Sequence, residues 1–155
     1  MDNVRVRWVK DRQFVGWDRL GHGVVMDAPG AGTDELIGAR PIELVLYALG
    51  GCTGVDVASV LAKKRLDVRG IEISVSGVQR EDEFPHSYAT IDLHYTVTGV
   101  AVPESAVERA IDLSQTKYCS VKGMFGPQVS ITTSFEVLEP PAPGPSRIDE
   151  GRRDV

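Results

Sequence analysis

One stretch constrains the fold more than any other. Ile42 to Ala62 is the longest apolar run in the chain, broken by Glu43, three glycines and Asp56. Pro41 stands where a first-turn proline suits a helix, because its missing N–H has no partner there anyway. Leu44 to Leu49 are apolar on every side, which predicts a helix buried all round. The run continues through Gly50, Gly51, Cys52, Thr53 and Gly54 into Val55, Val57, Ala58, Val60 and Leu61. It ends in Lys63, Lys64 and Arg65, whose charges suit a helix C-terminus. A bilayer-spanning helix would avoid these glycines and acids, so no membrane partner is expected. The glycines cost helix stability. They also let another backbone, or a substrate, come close to Cys52.

Short strands precede this helix. Val4, Val6 and Trp8 alternate with Arg5 and Arg7, a period of two. Lys10 to Gln13 reads as a turn, Phe14 to Trp17 as a return strand, and Val24 to Met26 as a third. Ala28 to Gly38, with Pro29, Gly30, Gly32 and Gly38, reads as a loop. After the helix, Ile71, Ile73 and Val75 alternate with polar residues, as do Ile91, Leu93, Tyr95 and Val97. The charged link Arg80 to Ser87 makes these two an antiparallel hairpin. A second helix opens at Pro103 and Glu104, with Ala106, Val107, Ala110, Ile111 and Ser114 on its inner stripe. A last strand carries Val129, Ile131, Thr133, Phe135 and Val137 on one face. The order is βββ-α-ββ-α-β, an α+β architecture. So apolar a central helix needs more cover than one small sheet supplies, which points to a second copy of the chain.

A length of 155 residues is one domain's worth. Seventeen Lys plus Arg against 22 Asp plus Glu leave a net charge of −5. That argues against nucleic acid, which wants a basic footprint. Residues 1–138 form the expected domain. From Glu139 the chain is rich in proline and then in charge, a flexible tail over residues 139–155. Met1 to Arg12 lacks the apolar core of a signal peptide, so the cytoplasm is the expected compartment. There thiols stay reduced, and Cys52 and Cys119 are free or reactive rather than a permanent staple. Two cysteines, ungrouped with His22, His86 or His94, exclude a four-ligand structural zinc site, and no metal or cofactor is expected. The three histidines read as surface or sheet-face residues.

A cysteine inside a buried helix is most often an inert small hydrophobe. Three features favour chemistry at Cys52. Gly50, Gly51 and Gly54 clear space around it. Cys119 lies just past the second helix, with Lys117 and Lys122 nearby, and both helices can point inward at one place. A reactive thiol needs a cation or a helix N-terminus to lower its pKa. Asp56, one turn after Cys52, works the other way, so the cation must come from elsewhere.

Two segments carry a resemblance. Gly38-Ala39-Arg40-Pro41-Ile42-Glu43-Leu44 through Gly50-Gly51-Cys52-Thr53-Gly54-Val55-Asp56-Val57 resembles the signature of the OsmC/Ohr family, in its YhfA-like branch. Asp112-Leu113-Ser114-Gln115-Thr116-Lys117-Tyr118-Cys119-Ser120-Val121 resembles the family's second motif. The resemblance covers Val4 to Val137 in order, and the two cysteines stand 67 positions apart. It implies an intertwined homodimer, with two central helices packed between sheets that take strands from both chains. It implies a thiol-dependent peroxidase for organic hydroperoxides in oxidative-stress defence. Cys52 would attack the peroxide and become a sulfenic acid. Cys119 would resolve it as a disulfide, for an external dithiol of the lipoyl type to reduce. The alternative is a non-catalytic binding module, or a redox sensor using the same cysteine pair.

The resemblance also assigns Glu43 and an arginine to the site. Nine residues at about 100° each leave Glu43 and Cys52 about 180° apart on a straight helix, with a rise of about 13.5 Å. If both serve one site, the glutamate comes from the partner chain or the helix bends. The other reading of Glu43 is that it only occupies the first turn, where an acid favours the helix dipole. Arg40, three residues before Glu43, is the preferred guanidinium. Arg12, near the first turn, is the other choice, and Thr33 stands where another branch has its arginine. Leu49, Val55 and Val57 around the cysteine suit an alkyl hydroperoxide better than hydrogen peroxide.

Overall fold

The computed structural model describes residues 3–30, 35–82 and 84–141. The chain divides into two compact units, Met1–Gly51 and Cys52–Val155. Residues 142–155, most of the expected tail, lie outside the described residues, as does Thr33.

In the first unit, β1 (Val4–Lys10), β2 (Gln13–Asp18) and β3 (Gly23–Met26) form an antiparallel sheet in that order. The turn between β1 and β2 is tight, with Asp11 at φ 45°. The alternation in β1 predicts one buried face, yet every residue of β1 is exposed, Trp8 by 61%. β1 is an edge strand, and among the described residues neither of its faces is covered. The long helix α1 spans Glu43–Lys63. Pro41 sits in the turn leading into it, closed by Glu43 N–H to the Arg40 carbonyl at 2.9 Å.

α1 differs from the expectation of burial all round. Leu49, Thr53, Val57 and Leu61 are buried, a single stripe at a spacing of four. Tyr47 and Val55, off that stripe, are each 68% exposed. The helix is apolar on all sides, but only one side is covered among the described residues. Its 21 residues and mean hydropathy of 1.7 are long and apolar enough to cross a membrane by length and composition. The glycines and Asp56 do not lower that average enough to prevent it.

The second unit holds α1 from Cys52 onward and a sheet in the order β4-β5-β6. β4 (Asp67–Gln79) and β5 (Tyr88–Val100) are the expected antiparallel hairpin, and β6 (Ser130–Leu138) runs parallel to β5. Both hairpin strands run to 13 residues, beyond the alternating segments that mark them in sequence. Ile91, Leu93, Tyr95 and Val97 point to one side of β5 and are buried. Helix α2 (Glu104–Leu113) buries Ala106, Val107, Ala110 and Ile111, the inner stripe read from the sequence. Full burial of Val107 or Ile111 contributes about 1.5–3 kcal/mol, and of each alanine less. The element order is the expected one, βββ-α-ββ-α-β.

Gly99, near the end of β5, permits a close approach of backbones. A Cβ there would stand 2.5 Å from the Asp67 carbonyl oxygen and 3.1 Å from the Val68 Cα. Gly99→Ala must therefore push β4 and β5 apart beside the irregular register at Val68 and Gly70. The expected cost is about 1–3 kcal/mol, read as a lower denaturant midpoint. An unchanged midpoint would contradict this packing.

Candidate active site around two cysteines

The second unit brings three chemically active side chains together. Cys52 and Asp56 are one turn apart on the same face of α1. Cys119 arrives from the other side of the sequence. α2 passes into a π-helical turn, Ser114–Tyr118, and Cys119 ends it in extended conformation. The wider turn is held by Cys119 N–H donating to the Ser114 carbonyl at 3.0 Å. Such turns are frequent at functional sites. The two sulfurs and a carboxylate oxygen of Asp56 all lie within 4.8 Å of one another. Both thiols are free; Cys52 is half-buried and Cys119 buried.

Burial pushes the Cys119 thiol above its ordinary pKa. The Lys122 backbone N–H, 3.4 Å from Cys119 Sγ, opposes that, and the neighbouring Cys52 adds to it. A thiolate on Cys52 therefore favours a neutral thiol on Cys119. The sequence places Lys117 and Lys122 near Cys119 as possible cations. The Lys122 contact to the sulfur comes through its backbone. The Lys117 ammonium stacks over the Tyr118 ring, 5.4 Å from its centroid.

A buried polar network stands behind these three groups. Ser114 Oγ donates to Asp56 Oδ2 at 2.8 Å. Thr53 Oγ1 lies 2.8 Å from Ser114 Oγ and 2.7 Å from the Tyr95 hydroxyl. Gln115 Nε2 donates to Thr53 Oγ1 at 3.3 Å and to the Tyr95 oxygen at 3.2 Å. Donor counting fixes the direction. The single Ser114 proton goes to Asp56. Thr53 must then donate to Ser114, and Tyr95 to Thr53. Burial raises the Tyr95 pKa, which keeps its proton in place. Thr53, Ser114 and Tyr95 are fully buried, and no buried side-chain nitrogen or oxygen is left unpaired among the described residues.

Sequence reasoning missed this network, although a signal was present. Thr53 is in phase with Leu49 and Val57, Tyr95 with Leu93 and Val97, and Ser114 with Ala110 and Ile111. A polar residue at a core position needs a buried partner, and three such positions were there to be paired.

The glycines also read differently in place. A Cβ on Gly51 would meet nothing within 4 Å, so it faces open space. A Cβ on Gly54 would stand 3.0 Å from Ile73 Cδ1, so this glycine lets β4 close on α1.

Arg40 and Glu43 pair with each other in the first unit. Glu43 accepts from the Arg40 backbone N–H at 3.0 Å and from its Nε at 2.9 Å, and Arg40 Nη2 lies 2.8 Å from the same carboxylate. The backbone bond first, and then the guanidinium, hold the Glu43 carboxyl below its ordinary pKa. Because the folded pKa is the lower one, the pair's stabilisation is present above the unfolded pKa. It is lost as pH falls through the folded value. Arg40→Ala keeps the N–H but removes the guanidinium. The Glu43 carboxyl should then titrate at higher pH, seen by NMR, whereas an unmoved titration would contradict the pairing. Arg12, the other arginine candidate, donates to the Pro29 carbonyl in the first unit. The histidines are on the surface, as expected: His22 against Asp18, His86 against the Arg80 carbonyl, and His94 against Ser134 on the outer sheet face.

Comparison with known proteins extends the picture. Residues 32–134 match the family described as OsmC-like protein. The chain is 43% identical over 135 residues to the protein YhfA of Escherichia coli strain K12, covering 87% of this chain and 97% of that one. A crystal structure of a hypothetical protein from Aquifex aeolicus VF5 is 33% identical with a TM-score of 0.79, covering 90% and 98% of the two chains. The organic hydroperoxide resistance protein OhrB of Bacillus subtilis is similar with a TM-score of 0.60 at 16% identity, covering 88% and 98%, a likeness of fold alone. The family match and the identity to YhfA agree with the two cysteine motifs: the chain belongs to the OsmC-like protein family.

Proposed function

We propose that this protein is a thiol peroxidase that reduces organic hydroperoxides through Cys52 and Cys119. The observation that supports this most is the proximity of the two sulfurs, within 4.8 Å. A disulfide needs about 2.05 Å, so the two sulfurs have at most a few ångströms left to close. The organic hydroperoxide resistance proteins that share its fold lend support by analogy.

The reaction balances without a bound cofactor. The Cys52 thiolate attacks the peroxide ROOH, the O–O bond breaks, and Cys52 becomes a sulfenic acid. The leaving alkoxide takes a proton and departs as ROH. The Cys119 thiol then attacks the sulfenic sulfur, water leaves, and the disulfide forms. An external dithiol reduces that disulfide by exchange and is itself oxidised to its disulfide. Cys119 suits the second step, because a buried neutral thiol keeps its proton until the sulfenic acid is present.

The exposed apolar side of α1, with Tyr47 and Val55, supports a working unit of two chains. Glu43 and Cys52 fall on opposite sides of a straight helix. In the dimer, the Arg40–Glu43 pair that serves one pair of thiols comes from the partner chain. The guanidinium would steady the thiolate and orient the peroxide oxygen. The cytoplasm, where external dithiols are available, is the compartment that fits.

The test is turnover of cumene or tert-butyl hydroperoxide by purified protein with dihydrolipoamide as reductant. Sustained consumption supports the enzyme. Stoichiometric oxidation with slow recycling would point instead to a redox sensor, and inert thiols would overturn both.

A further inference from the structure

Cys52, Asp56 and Cys119 make a ligand set as well as a redox pair. We propose that in the dithiol state they bind one thiophilic divalent cation of the zinc type, with a fourth position left open. This does not depend on peroxide reduction, and it would hold if the protein reduced nothing.

The geometry supports it directly. In a tetrahedral zinc site, Zn–S of about 2.3 Å and Zn–O of about 2.1 Å put neighbouring ligand atoms about 3.6–3.8 Å apart. The three ligand atoms here lie within 4.8 Å of one another, so a shift of about 1 Å at most closes the set. The ligands come from two elements, α1 and the end of the π-helical turn after α2. The composition excludes a four-ligand structural site, but not three ligands and an exchangeable water. Cys52 and Asp56 are both half-buried, so solvent has a way to the fourth position.

A supporting shell is already built. Ser114 Oγ donates to Asp56 Oδ2 at 2.8 Å and orients the carboxylate. Ser114 in turn is held by Thr53, and Thr53 by Tyr95 and Gln115. The Lys122 N–H donates to Cys119 Sγ, a bond that a coordinating thiolate strengthens. Such outer contacts are what fixes ligands for a metal.

Binding takes two thiolates and one carboxylate, so two thiol protons leave when the cation enters. The cation does not change oxidation state. A Cys52–Cys119 disulfide removes two of the three ligands, so oxidation ejects the cation and reduction restores the site. The bound cation also occupies the sulfur lone pairs, so a loaded site reacts slowly with peroxides and alkylating agents.

The test uses the full-length protein, fully reduced, with no peroxide present. Cobalt(II) and zinc(II) are titrated in, with zinc affinity read by competition against a chromophoric chelator. The expected result is one cation per chain, a tetrahedral cobalt spectrum with thiolate charge-transfer bands, and no binding to the disulfide form. Asp56→Asn keeps the side-chain shape and an acceptor for Ser114, and should weaken zinc by about 10–100-fold. Cys52→Ser and Cys119→Ser should each lose the charge-transfer bands of a two-thiolate site. Circular dichroism of each variant checks that it is folded. Zinc affinity equal to wild type in folded Asp56→Asn, or absence of thiolate bands with cobalt, would overturn the site.

Discussion

Cys52→Ser should lower the turnover of organic hydroperoxides by at least about 1,000-fold, about 4 kcal/mol of barrier. A serine hydroxyl holds its proton at neutral pH, and its oxygen is a far weaker nucleophile toward peroxide than a thiolate sulfur. No second thiol replaces it cleanly. Cys119 is buried, and burial raises its pKa, so at neutral pH it is a poor source of thiolate. Cys119→Ser should fail differently. Its Cys52 still reduces one equivalent of peroxide, then stops as a sulfenic acid trappable by dimedone. Steady-state turnover in Cys52→Ser, or dimedone labelling of wild type equal to that of Cys119→Ser, would contradict this division of labour.

Thr53→Val should be the more damaging change for stability, although it alters shape very little. Thr53 is fully buried and accepts or donates in three hydrogen bonds, to Tyr95, Ser114 and Gln115. Valine leaves the Tyr95 proton facing a methyl group and takes from Ser114 its donor. An orphaned buried donor costs about 1–3 kcal/mol, and the loss of Ser114's partner should bring the total to the top of that range. Tyr95→Phe removes the orphan. The double variant Thr53→Val/Tyr95→Phe should therefore be less destabilised than the sum of the two single changes, by about 0.5–3 kcal/mol. Simple additivity in urea unfolding would mean that the chain of hydroxyls is not the cooperative unit described here.

Much of this was legible in the sequence, for identifiable reasons. The period of two in β4 and β5 and the stripe Ala106, Val107, Ala110 and Ile111 record burial directly, so strand pairing and the inner face of α2 follow from pattern alone. Both cysteines stand in recognisable motifs, and the fold makes them neighbours. Four features escaped. α1 is apolar on every side, so its pattern could not show which stripe is covered within the chain and which side is left exposed. β1 misleads in the opposite way: its alternation predicts one buried face, and all its residues are exposed. The polar network escaped because Thr53, Tyr95 and Ser114 come from three separate elements, and only the fold makes them neighbours. In sequence alone, Asp56 is a charge that disfavours a thiolate on Cys52. Its place beside both sulfurs, with a hydrogen bond from Ser114, makes it part of the site.

The central claim is that Cys52 and Cys119 form one redox unit that responds to an organic peroxide. Its most direct test is intact-mass and peptide mapping of reduced protein after one equivalent of cumene hydroperoxide per chain. The account predicts the loss of two hydrogens per chain, mapped to a Cys52–Cys119 disulfide within seconds, and fully reversed by dihydrolipoamide. Two unmodified thiols after that exposure, or a disulfide linking either cysteine to anything else, would contradict it.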